Sequence, residues 1–283
     1  MEFGLNIPAD ARPGDDPVSA AVRAEELGFD FVSTSDHPCG TAPSFETWTL
    51  LSWIAASTSR IRIATRVLGV PYRPPAMVAK MAETFDRLSG GRLILGLGGG
   101  HSDEEFRAFG LRVPTTREKI DGLEEAIHVT RGLWERPAFT FEGKLFHTDT
   151  ADLEPKPSRR IPIWLGTFGP RALELTGRLA DGWIPSLGFA PPEQAVVMRE
   201  KVLAAAEKAG RPAPTCAYHV VVHVGEDLGR PGMVSGHPEA VAERLAGFVA
   251  MGFTTLSLAP AGPGDQAGRL ASEVIPLVRK AKR

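Results

Sequence analysis

Short apolar runs, each followed by an amphipathic stretch, recur along this chain and leave few folds open to it. Phe3–Ile7 opens as a strand, and the PVSAAVRAEELG segment after it reads as a helix closed at its C-terminal cap by Gly28. Further strands are predicted at Phe29–Ser35, Ile61–Leu68, Leu93–Leu97, Ile161–Gly166, Gly182–Pro185, Cys216–Val224 and Thr254–Ala259. Helices are predicted over Glu46–Ser57, Pro75–Leu88, Thr116–Trp134 and the PRALELTGRLA segment. The first four strands begin roughly thirty residues apart, which is one βα unit each. Their runs are apolar throughout, as expected of a parallel sheet covered on both faces. Eight such units in 283 residues fit a closed (β/α)8 TIM barrel better than an open doubly wound sheet. No linker interrupts the pattern, so residues 1–283 are expected to form a single domain. The main irregularity is AFTFEGKLFHTDT, residues 138–150, which alternates around Glu142-Gly143 like a hairpin inserted between the fourth and fifth strands.

Composition narrows the function classes. The chain is 43% apolar and 23% charged, with a formal net charge of −2, so neither nucleic acid nor an anionic membrane is an expected partner. No apolar run approaches the roughly 18 residues of a membrane span. The opening MEFGLNIPADARPGDD has no basic region ahead of an apolar core, and no signal peptide is expected. Cys39 and Cys216 are the only cysteines and lie far apart, which fits reduced thiols in the cytoplasm.

Barrel enzymes carry their chemistry at the C-terminal ends of the strands. Strand two ends in Asp36-His37, where the histidine fits a general acid or base and the aspartate fits a cap on the next segment. Strand three ends in Thr65-Arg66-Val67. Strand four runs into Gly98-Gly99-Gly100-His101, which starts like the dinucleotide fingerprint G-x-G-x-x-G but has His101 where the third glycine belongs. Three adjacent glycines at that rim offer bare backbone against which a flat ring can lie. Strand five leads into Gly166-Thr167-Phe168-Gly169-Pro170-Arg171. Pro170 suits the first turn of a helix, and the open N-terminus with Arg171 beside it suits a phosphate, although an ordinary helix cap reads the same way. His219 and His223 stand four apart in one strand and, with His37 and His101, raise a metal-dependent hydrolase barrel as a rival. No His-x-His follows strand one and no carboxylates cluster at the strand ends, so no metal site is assigned.

The segments EELGFDFVSTSDH, ATRVLGVPYRPPAMVAKMAETFDRLSGGRLILGLGGG, IPIWLGTFGPRALELTGRLADGWIP and GHPEAVAERLAGFVAMGFTTLSL resemble the bacterial luciferase-like superfamily in order and spacing. The pattern of Gly169–Trp183 resembles its deazaflavin (coenzyme F420)-dependent oxidoreductases more than its FMN-dependent monooxygenases. The resemblance implies a (β/α)8 barrel with an insertion region and a deazaflavin in the barrel mouth. It implies a strand-three bulge at Thr65-Arg66-Val67 behind the ring, with a non-proline cis peptide at Arg66–Val67. Gly98, Gly99 and Gly100 match the loop whose backbone contacts the ring. Thr167, Phe168, Gly169, Pro170 and Arg171 fall at the phosphate-binding turn, and Asp36-His37 matches the family's strand-two pair. Hydride transfer to or from a small organic substrate is the implied reaction, with His37 handling the proton and His101 polarising the substrate or standing in for the family's glutamate. The implied partners are the cofactor, that substrate and, as is frequent in the family, a second copy of the chain. The sugar-phosphate branch has a glutamate where His101 stands, and an aromatic residue where Cys39-Gly40-Thr41 runs. Both departures argue against a sugar-phosphate substrate. An FMN-dependent monooxygenase and a non-catalytic cofactor-binding barrel are the alternatives. The hairpin around Phe141–Phe146 and the loop Gly225–His237 are expected to close over the site.

Overall fold

Proline and glycine punctuate the chain as the sequence demands, and the elements between them close a barrel. The computed structural model describes residues 1–281. In order, they form β1 (Glu2–Asn6), α1 (Pro17–Glu26), β2 (Phe31–Thr34), α2 (Thr47–Ser57), β3 (Arg62–Thr65), β4 (Leu68–Gly69), α3 (Pro75–Leu88), β5 (Leu93–Gly98), α4 (Asp103–Ala108) and α5 (Thr116–Glu135). The hairpin β6 (Phe139–Glu142) and β7 (His147–Ala151) follows, then β8 (Ile163–Leu165), α6 (Pro170–Leu179), β9 (Gly182–Trp183), α7 (Pro192–Lys208) and β10 (Thr215–Val224). The rest is β11 (Met233–Gly236), α8 (Pro238–Ala250), β12 (Thr255–Pro260), α9 (Gln266–Arg269) and α10 (Ile275–Ala281). Residues 282 and 283 of the expected domain lie outside the described residues.

Among the described residues the parallel order is β1-β2-β3-β5-β8-β9-β10-β12, and β12 pairs back onto β1. The eight expected strands are those eight, several shorter than expected because the runs extend past the hydrogen-bonded ladder. The interior is layered by alternation along each strand. Phe31 and Trp164 meet edge to face at 5.9 Å across it, with Ala64, Ile94, Ile184 and Ala217 around them. Those two rings fit because the positions facing them are bare. A Cβ on Gly4 would stand 2.2 Å from the Phe31 ring, and one on Gly182 would stand 2.3 Å from Trp164. The next layer toward the mouth is polar: Asn6, Ser33 and Ser257 join through side-chain hydrogen bonds of 3.3–3.4 Å, and His219 Nδ1 lies 3.1 Å from Ser257 Oγ.

The structure shows how the two segments expected as lids are held. The hairpin packs on α5, where the Glu125 carboxylate accepts from the amides of Lys144, Leu145 and Phe146, and Phe141 stacks on His128. It therefore does not cover the barrel mouth. Within Gly225–His237, Met233–Gly236 is a strand in register with Val221–Val224 of β10, so half of that segment belongs to the sheet. A four-residue run with one serine and one glycine carries too little periodicity to be separated from loop.

At the opposite end of the barrel, Asp181 links β8, β9 and β10. Its backbone exchanges hydrogen bonds with Ile163 and Thr215, while its carboxylate accepts from the Ile163 amide and from Arg131, Arg160 and Arg211. Burial alone would raise this carboxyl's pKa, but the Ile163 amide and the arginines bring it below the usual range. A folded pKa below the unfolded one gives stability that is present above about pH 4 and fades as pH falls below it. Asp181→Asn is therefore expected to lose about 2–4 kcal/mol in urea unfolding at pH 7, with a smaller difference from wild type at pH 3.

Candidate active site

The bulge between β3 and β4 is where the barrel mouth is built. Asp36, two residues past β2, has a buried carboxylate that accepts from the Gly69 amide (2.9 Å) and takes both terminal nitrogens of Arg73 (2.8 and 3.0 Å). Burial works against the Arg73 charge, and the bond to Asp36 more than restores it, so the guanidinium titrates above its ordinary range. Asp36 thus fixes the bulge from behind. The Arg66–Val67 peptide within the bulge is cis. Thr65 does not face the mouth: its hydroxyl donates to Gly96 O (2.8 Å) and accepts from Gly96 N (2.7 Å).

A cavity of about 260 Å3 opens against this bulge. Asp36, His37, Arg66, Val67, Gly98, Gly99, Gly100, His101 and Phe168 of the expected residues line it, joined by Tyr72, Ser186 and Phe189 among others. Thr167, Gly169, Pro170 and Arg171 do not. Thr167 is buried with its hydroxyl 2.7 Å from that of Thr176, and the Arg171 guanidinium is committed to Asp121 on α5. The N-terminus of α6 remains open: Gly169 provides no side-chain cap and Pro170 has no N–H. The first-turn amides of Arg171 and Ala172 therefore have no partner within the helix.

The three glycines lack side chains for three different reasons. A Cβ on Gly98 would press within 2.8 Å of Val67, one on Gly99 would meet Lys119 at 3.1 Å, and one on Gly100 would stand 2.4 Å from Phe106. Gly100 also has φ +88°, a backbone that L side chains rarely adopt. The rim is bare because protein packs against it as closely as a ligand would.

His37 is half exposed, with Nδ1 3.0 Å from Glu105 Oε1. The other oxygen of Glu105 accepts from the Tyr72 hydroxyl at 2.5 Å. Burial, then that bond, raises the Tyr72 pKa, so the phenol stays a donor. With Tyr72 and His37 both directed at one carboxylate, Nδ1 carries the proton and Nε2 is the nitrogen left for the cavity. The sequence hides Glu105 behind a simpler signal. Ser102-x-x-Glu105 spells a capping box, and Ser102 does cap the Glu105 amide (3.3 Å), but the glutamate side chain turns to His37 instead. His101 packs edge-on against Phe189 (5.7 Å), which also contacts Phe168 (5.8 Å). Phe189 lies in the loop after β9 and had no marker in its sequence context. His219 and His223 do not gather with these residues: His223 Nδ1 pairs with Ala261 O. Among the described residues no cluster of three or more His, Cys, Asp or Glu is placed to hold a metal ion.

The family model described as luciferase-like monooxygenase matches residues 1–229. The chain belongs to this family. Among its curated relatives is the F420-dependent glucose-6-phosphate dehydrogenase of Nakamurella multipartita, 34% identical over 75% of this chain and 63% of that protein. The matched stretch thus spans less than two thirds of that relative's length. The protein of the same name from Kribbella flavida is 30% identical over 100% of this chain and 84% of its own. The fold superposes with a TM-score of 0.89 on an F420-dependent secondary alcohol dehydrogenase in complex with an F420-acetone adduct, at 22% identity over 98% of this chain and 99% of that one.

Two outcomes follow from this luciferase-like site. In alkaline buffer, nitrogen-15 NMR of His37 is expected to show the Nδ1–H tautomer, and Glu105→Ala is expected to move the ring to Nε2–H. Gly98→Ala is expected to destabilise the fold by about 1–3 kcal/mol in chemical denaturation, because Val67 must move.

Proposed function

We propose that the chain is an F420-dependent oxidoreductase acting on a small organic substrate. The observation that carries this reading is the single cavity in which the Arg66–Val67 bulge, the Gly98–Gly100 rim and His37 meet, beside the open N-terminus of α6. The fit to a deazaflavin is physical. Gly98, Gly99, Gly100 and Gly166 line the cavity with backbone that can lie flat against a planar ring, and the uncapped amides of Arg171 and Ala172 suit its phosphate. When bound, the deazaflavin supplies hydride exchange at its C5.

The chain's own residues do the rest. Val67 and the glycine rim form the wall on which the ring rests. Glu105 holds His37 so that Nε2 gives or takes the substrate proton, and it stabilises the charge that the imidazole acquires. His101 polarises the substrate from the Phe189 side, and Phe168 and Phe189 exclude water there. His101 occupies the position of the sugar-phosphate branch's glutamate, and Cys39-Gly40-Thr41 lacks that branch's aromatic residue. A different small substrate is therefore part of this reading, although relatives carry the glucose-6-phosphate name. A cytoplasmic homodimer completes it, supported by the two free cysteines and by the family resemblance.

The alternative with support is an FMN-dependent monooxygenase, favoured by the family's own description. Fluorescence titration with each cofactor and turnover with and without oxygen separate the two. Binding of F420 and oxygen-independent turnover are expected. Oxygen-consuming turnover with reduced FMN and no F420 binding would overturn the proposal. His37→Ala is expected to lower turnover about 100-fold with F420 affinity unchanged. Unchanged turnover in that variant would remove His37 from the mechanism.

A further inference from the structure

Arg66 is a charged residue that the proposed mechanism does not use. Its backbone lies in the bulge, but its side chain turns down into the polar layer of the barrel, where Nε donates to Asn6 Oδ1 at 3.0 Å. Among the described residues this is its only side-chain hydrogen bond, and no carboxylate pairs with it. Burial lowers its pKa to about 10, which still leaves it fully charged at neutral pH. The groups around it offer no counter-charge. Asn6, Ser33 and Ser257 are neutral, and burial together with Arg66 itself depresses the His219 pKa well below the ordinary value, so that ring is uncharged. Asp36 is the only carboxylate among the cavity's lining residues, and it faces Arg73. Arg66 is thus the one permanent cation lining a cavity of about 260 Å3 without an anion to answer it.

A partly buried charge without a partner is costly, and a ligand's anion in the cavity would offset that cost. The Nε–Asn6 bond anchors one edge of the guanidinium and leaves the terminal nitrogens as a planar pair of donors. That geometry matches the two oxygens of a carboxylate better than a single carbonyl or hydroxyl. We propose that Arg66 binds a carboxylate group on the substrate, so that this chain acts on small carboxylic acids. The proposal rests on the reading of the cavity as the substrate and cofactor site. It adds a substrate class that neither His37 nor the glycine rim specifies.

Crotonate and crotonamide, which differ only in whether they carry the anion, are the probes. Each is titrated by calorimetry into the purified chain, with and without F420, and the thermal midpoint is followed in parallel. In wild type, crotonate is expected to bind at least about tenfold more tightly than crotonamide and to raise the midpoint. Arg66→Gln is expected to abolish both effects while keeping F420 affinity within about tenfold of wild type, and to unfold at no lower temperature, because a partly buried, unpaired charge has been removed. Arg66→Lys, a second folded variant, is expected to keep part of the preference for the acid. Equal affinity for acid and amide in wild type, no saturable crotonate binding, or a preserved preference in Arg66→Gln would each overturn the proposal. So would a tenfold loss of F420 affinity in Arg66→Gln, since the guanidinium would then serve the cofactor. If wild type fails to bind F420, the oxidoreductase reading falls, while the cofactor-free titrations still decide whether Arg66 is an anion site.

Discussion

The buried pair between Asp36 and Arg73 is the contact from which the barrel mouth is organised. One carboxylate, with its side chain fully out of solvent, holds the guanidinium with two bonds and the Gly69 amide with a third. Removing either partner would strand a charge, a loss of about 3–5 kcal/mol in buried pairs. The position matters more than the energy. Asp36 precedes His37 and Gly69 follows the bulge, so the same interaction sets where the candidate base begins and where Arg66 and Val67 turn. Arg73 reaches on to Glu46, the N-cap of α2, and ties the helix that follows β2 to the same point.

Much of this was legible in the sequence because barrel periodicity is a local property. Apolar runs punctuated by Gly and Pro gave the eight strands, and the strand ends gave most of the cavity lining, including His37, Arg66, Gly98 and His101. The illegible parts depend on where a side chain goes after its backbone is placed. Glu105 sits in a capping pattern and serves His37 and Tyr72 instead. Arg171 follows a phosphate-type turn and is taken by Asp121, a residue 50 positions earlier on another helix. Phe189 has no local signature because only the closure of the barrel brings its loop beside His101. The hairpin at residues 138–150 was recognisable as a hairpin, but its docking on Glu125 is a long-range choice made by one carboxylate and three amides.

The barrel interior divides cleanly by polarity. The lower layer pairs two large rings with bare positions, so the packing is apolar and tight. The layer above it exchanges those rings for Asn6, Ser33, His219, Ser257 and the Arg66 guanidinium. The change occurs within one alternation step along β1 and β2, from Gly4 and Phe31 to Asn6 and Ser33. A floor of that kind separates a stable core from a chemically demanding pocket without any intervening loop.

The glycine rim bears on how such a pocket can diversify. Each bare position from Gly98 to Gly100 is hemmed in by a different neighbour: a bulge side chain, a helix lysine and an aromatic ring. Substituting any one of them disturbs packing before it alters the cavity, so this wall is closed to stepwise change. A second part of the lining, Ser186 and Phe189, lies in a loop, and Phe189 is 65% exposed. Variation in what the pocket accepts is therefore channelled to that side, where a side chain can be exchanged without moving a strand.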